Sequence, residues 1–159
     1  MHYFKPIGIV LILACGVMAG VAFAAFERRR CRQAEGFVAL LRHIRLQIDC
    51  FSLPVGRILA SCDGKILADC GVETAELPDL SALLAGTRLY VPEEMCRLLH
   101  DFGAQLGTSY RLEQLRCCDY FLERIIPICD RLRADLPKRE RMVLILPMAI
   151  AAILVLMLL

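Results

Sequence analysis

Each end of the chain carries a long apolar run without charge. Ile7 to Phe26 is an unbroken uncharged run of 20 residues, and Met142 to Leu159 is another of 18. As helices rising 1.5 Å per residue they would measure about 30 Å and about 27 Å, enough in each case to cross a hydrocarbon core of roughly 30 Å. The pattern therefore predicts transmembrane helices over 1–26 and 142–159, with a domain over 27–141 tethered between them. Arg28, Arg29, Arg30 and Arg32 follow the first run, and Lys138, Arg139 and Arg141 precede the second. Lys and Arg beside a span resist translocation, so both flanks, and the domain with them, are expected in the cytoplasm. The same seven residues are expected to lie at the membrane surface, where anionic headgroups attract them.

A cleavable signal peptide competes for the first run. Lys5, the apolar stretch from Ile7 to Val21 and the Ala22-Phe23-Ala24 triplet have its layout, and losing Cys15 would leave an even number of cysteines. The arginine cluster directly after the would-be cut opposes export. A lipoprotein cleavage at Ala14-Cys15 would leave the apolar run from Gly16 to Phe26 without a purpose.

Between the runs the period is helical. Phe37, Leu40, Leu41, Ile44, Ile48 and Phe51 recur at three and four, with Arg42, Arg45 and Asp49 on another face, predicting an amphipathic helix that continues from the first span. Ser52 is a candidate N-cap for a short helix carrying Val55, Ile58, Leu59 and Cys62, with a turn at Asp63-Gly64. Residues 65–91 are the least periodic, with a short helix expected around Asp79 to Ala85. Pro92, Glu93 and Glu94 open a helix with Met95, Leu98, Leu99, Phe102 and Leu106 inward, closed by Gly107. Thr108 or Ser109 is expected to cap the last helix. Its residues Leu115, Cys118, Leu122, Ile125, Cys129, Leu132 and Leu136 form a seam that wants a long partner helix, and Pro127 should kink it without ending it. The expected fold is all-α, a helical bundle whose two long antiparallel helices lead to and from the membrane and whose far end is capped by short helices.

Composition narrows the function. The chain is 58% hydrophobic with nine cysteines, but outside Lys5 every charged residue lies in the middle domain, which is long enough for one compact core. The cysteine density is below that of disulfide scaffolds, and Cys118 and Cys129 occupy apolar helical positions, so reduced buried thiols are expected. Cys96 and His100, four apart beside Asp101, could form a metal pair or a nucleophile and base. A zinc site needs three or four ligands, however, and no further pair accompanies them. His43, Gln47 and Asp49 read as a polar helix face. Gly103 and Gly107 read as a helix end. No phosphate loop, dinucleotide fingerprint or G-x-S-x-G is present, so no catalytic residue, metal, cofactor, small-molecule substrate or nucleic acid is expected. Acidic residues outnumber basic ones between Ser52 and Gly107. Glu73, Glu76, Asp79, Glu93 and Glu94 are the candidate surface for a basic partner.

The stretch Leu41-Arg42-His43-Ile44-Arg45-Leu46-Gln47-Ile48 runs into Phe51-Ser52-Leu53-Pro54, with Ile58-Leu59 after it. Phe102-Gly103-Ala104-Gln105-Leu106-Gly107 is followed by Gln114-Leu115. With the two-span layout these resemble the stage III sporulation protein AB family; the terminal run departs from that family's glycine-rich pattern by carrying Pro147 and no glycine. The resemblance implies a non-enzymatic structural component of the channel between mother cell and forespore, needed for endospore formation and sited in the mother-cell membrane around the forespore. It also implies a soluble fold similar to the F-protein domain of the type II secretion inner-membrane platform. The implied partners are the AA ATPase and the other membrane proteins of that complex. A scaffold of another pilus or secretion platform would share these features, and a membrane redox or metal protein using Cys96 and His100 is a third reading.

Overall fold

The computed structural model describes residues 4–51, 55–72 and 79–158. Six helices follow one another: α1 (Phe4–Phe51), α2 (Val55–Ala60), α3 (Gly64–Cys70), α4 (Leu80–Gly86), α5 (Glu93–Gln105) and α6 (Arg111–Leu158). No strand occurs among the described residues. The chain divides into a core domain, Arg30–Leu132, and a terminal pair formed by Met1–Arg29 with Arg133–Leu159.

In the core domain the anticipated face of α1 is buried. Phe37, Leu40, Leu41, Ile44 and Ile48 are fully or nearly fully enclosed, joined by Ala34 and Val38. Phe51 departs from the pattern at 66% exposure. It ends α1 one turn beyond Ile48, where the facing helix has only begun: Arg111, the first residue of α6, bonds the Asp49 carbonyl. The buried face of α6 is wider than the expected seam, because Phe121 and Ile128 join Cys118, Leu122, Ile125 and Cys129. A two-helix seam leaves those flanking positions outside. Here α5 also covers α6, with the Phe102 and Phe121 rings edge to face at 5.4 Å.

Asp63-Gly64 is a helix start as well as a turn. The Asp63 carboxylate accepts from the Lys65 N–H at 3.0 Å and caps α3, a helix the period does not announce. Gly71 ends α3 at φ +90°, and the Val72 N–H reaches back to the Leu67 carbonyl at 2.9 Å. The expected short helix is α4, capped by Asp79, whose carboxylate accepts from Ala82 N–H at 2.6 Å. Gly103 is not a helix end. It lies inside α5, where a Cβ would stand 3.3 Å from Ser81 Oγ, so its smallness lets α4 approach. Gly107, at φ +87°, does follow the end of α5. Neither Thr108 nor Ser109 shows a side-chain cap on α6: the Thr108 hydroxyl turns back to the Gln105 carbonyl, and the Tyr110 carbonyl accepts from the Glu113 and Gln114 N–H groups. Ser52 and Pro54 lie outside the described residues.

Two α1 residues dock α3. At Gly36 an added Cβ would lie 2.9 Å from the Asp69 backbone, so only glycine permits this approach. Gln33, 3% exposed, donates to the carbonyls of Cys70 at 2.8 Å and Arg88 at 3.0 Å and accepts from the Tyr90 N–H at 2.6 Å. One buried amide thereby satisfies backbone groups on two segments that would otherwise be stranded.

The terminal pair follows a different packing rule. Gly16 of α1 meets α6 closely, since a Cβ there would lie 3.1 Å from Ala151 Cβ and 3.2 Å from the Pro147 carbonyl. Gly20, Ala24 and Ala151 are buried, whereas Leu11, Met18, Phe23, Ile145, Ile153 and Leu156 are exposed. Small residues inside and large apolar residues outside is the arrangement of helices packed in lipid. Helix α1 is long and apolar enough to cross a membrane, and it is the one helix among the described residues that meets this test. Helix α6 runs unbroken through Pro127, Pro137 and Pro147.

Candidate interaction surfaces

Charge in the terminal pair is organised by neighbouring residues of opposite sign on each helix. Arg28 Nε bonds Glu140 at 2.5 Å, and Arg139 lies 3.8 Å from Glu27. The Arg28 guanidinium holds the Glu140 carboxyl below its ordinary range, and that carboxylate raises Arg28 in turn. Of the seven basic residues expected at a membrane surface, Arg28 and Arg139 are thus engaged across the pair. Arg29, Arg32, Lys138 and Arg141 are exposed, and Arg30 is half-buried in the core domain.

The acidic candidates are dispersed in role. Asp79 is spent on the α4 cap. Glu93 accepts from Arg97 at 2.6 Å along the first turns of α5, and Glu94 is exposed beside it. Glu73 and Glu76 lie outside the described residues.

Thiol chemistry is suppressed where it was sought. The Cys96 Sγ turns to the Val91 carbonyl at 3.6 Å, and partial burial pushes the thiol above its ordinary range. His100 is exposed. Burial likewise raises Cys62, Cys70 and Cys117 and pushes Cys118 up to about 12, which favours the neutral thiol at each. Among the described residues no group of three His, Cys, Asp or Glu side chains is placed to hold a metal ion.

The core domain carries one surface that the period of the sequence did not show. Glu93, Glu94, Arg97 and Leu98 of α5 and Arg124, Pro127, Ile128 and Arg131 of α6 line an open groove of about 660 Å³. Arg124 lies over the Tyr120 ring at 4.5 Å. The available signal was the seven-residue spacing of Arg124 and Arg131 around Pro127, which sets two cations on one helix face about 10 Å apart.

These features define a class: a protein all-helical over its described residues, with an apolar, small-residue-packed pair of helix ends, basic residues beside them, and a helical core domain. The chain belongs to the stage III sporulation protein AB family, whose profile matches residues 80–159, from the start of α4 to the C-terminus. The Phe102-Gly103-Ala104-Gln105-Leu106-Gly107 segment falls inside that match, as does Gln114-Leu115. Comparison with curated proteins and with solved structures finds no match in either.

Proposed function

We propose that this chain is a two-span membrane scaffold of the complex that endospore-forming bacteria build between mother cell and forespore, with its core domain in the cytoplasm and no catalytic role. Family membership supports the sporulation context. The observation that carries the membrane part is the inverted packing of the terminal pair, in which Gly16, Gly20, Ala24 and Ala151 are enclosed and large aliphatic and aromatic side chains face outward. Helix α6 supplies the second span in this reading, since its last 18 residues carry no charge. The partners in this reading are the AA ATPase and the other membrane proteins of the complex, assembled on the core domain. Deleting the gene in its own spore-forming host should abolish heat-resistant spores while leaving vegetative growth intact, and co-purification from sporulating cells should recover the ATPase. Normal sporulation of the deletion strain would overturn the proposal.

A further inference from the structure

Charge in the α5/α6 groove is unbalanced in a way that specifies its occupant. Glu93 is already engaged by Arg97, so Glu94 stands against two further guanidiniums, Arg124 and Arg131. Neither of these has a carboxylate partner among the described residues; Arg124 is supported by the Tyr120 ring, which orients its guanidinium without neutralising it. Leu98 and Ile128 give the groove an apolar floor between them. Guanidiniums prefer planar bidentate carboxylates, and two of them two helical turns apart match carboxylates repeated at the same interval on a facing helix.

We propose that this groove binds an acidic amphipathic helix of a partner protein, with carboxylates meeting Arg124 and Arg131 and an aliphatic side chain on Leu98 and Ile128. The occupant is a protein segment and not a phospholipid headgroup, because a headgroup would use the cations and leave the apolar floor between them unfilled. The inference does not depend on which assembly the chain serves, so it can fail while the sporulation role stands, and the reverse.

The test uses the full chain in a neutral detergent and two fluorescent helical peptides: one with glutamates seven residues apart beside a leucine stripe, the other with lysines in their place. The acidic peptide should bind and the basic one should not. Arg124→Glu with Arg131→Glu should weaken acidic-peptide binding by at least about tenfold and let the lysine peptide bind instead. Arg57→Glu, on α2, should change neither. If the double charge reversal lowers the melting temperature, the Arg124→Gln and Arg131→Gln pair should still weaken binding. In cells, a benzophenone residue at Leu98 should cross-link to an acidic segment of another protein. Equal binding of the two peptides, undiminished acidic-peptide binding by a folded double variant, or cross-linking to lipid alone would overturn the assignment.

Discussion

Residues 30–132 enclose Phe37, Leu41, Ile125 and Phe102 and turn charge outward, whereas the terminal pair encloses glycine and alanine and turns Met18, Phe23, Ile153 and Leu156 outward. In water only the first arrangement gains from the hydrophobic effect, which rewards removing large apolar side chains from solvent. The second gains where lipid is the solvent, because there the contact between helices depends on close backbone approach and dispersion. The same chain thus applies two packing rules, and the change of rule falls at the arginines and acids that flank the apolar runs.

Substituting charge into both regions should separate the rules most sharply. Ile125→Asp places an unpaired carboxylate among Phe37, Leu41 and Phe102 and should cost about 4 kcal/mol, abolishing the cooperative melting of the core domain. Ile153→Asp lies on an outward face and should leave that transition intact, while costing about 3 kcal/mol in insertion of the second apolar run, with α1 still holding the chain in the membrane fraction. Equal loss of core melting in the two variants would break the comparison.

Gln33→Ala tests the polar side of the core rule. Removing the amide strands the Cys70 and Arg88 carbonyls and the Tyr90 N–H and should cost about 3 kcal/mol in thermal or urea unfolding. A cost below about 0.5 kcal/mol would show that water takes over these groups.

The two residues that organise α3 mark the limit of what could be read from sequence. Long periodic segments were legible: α1 continuing from the first apolar run, α5, and the inward set of α6 all follow from spacing at three and four. Helix α3 was not, because seven residues give too few turns for a period and Asp63-Gly64 carries turn and cap signals alike. Gln33 sits between Arg32 and Ala34 with nothing to distinguish it from a solvated residue; its burial depends on backbone groups 37 and 55 residues away. The groove between α5 and α6 is likewise a tertiary product. Its arginines come from two helices, and of the acids expected on a common surface Asp79 also caps α4 and Glu93 also pairs with Arg97.

Gly16→Leu addresses the other rule. The added side chain would meet Ala151 and the Pro147 carbonyl and should separate the terminal helices, costing about 1–3 kcal/mol by overpacking. Thermal unfolding of the full chain in detergent with and without the substitution checks this, and an unchanged transition would show that the close approach is not required.

The smallest effect belongs to the exposed ion pairs. Arg28 holds the Glu140 carboxyl below its ordinary value of 4.5, so the pair's contribution is complete above that pH and is lost as pH falls through the lowered folded-state value. Arg28→Ala should therefore flatten the acid limb of the stability profile, and added salt should shrink the difference, as screening does for exposed charges. A change on the alkaline limb instead would contradict the assignment.

Two native thiols allow the central contrast to be measured directly. Cys31 is buried and would react slowly in any folded state, but Cys15, in the first apolar run, and Cys50, near the end of α1 in the core domain, are both exposed on the protein surface. In single-cysteine variants retaining one or the other, a water-soluble, membrane-impermeant maleimide should label neither thiol in intact cells. Once the membrane is opened, Cys50 should react fully while Cys15 stays protected by lipid until detergent replaces the bilayer. Labelling of Cys50 from outside intact cells, or reaction of Cys15 as fast as Cys50 with the bilayer present, would contradict the account.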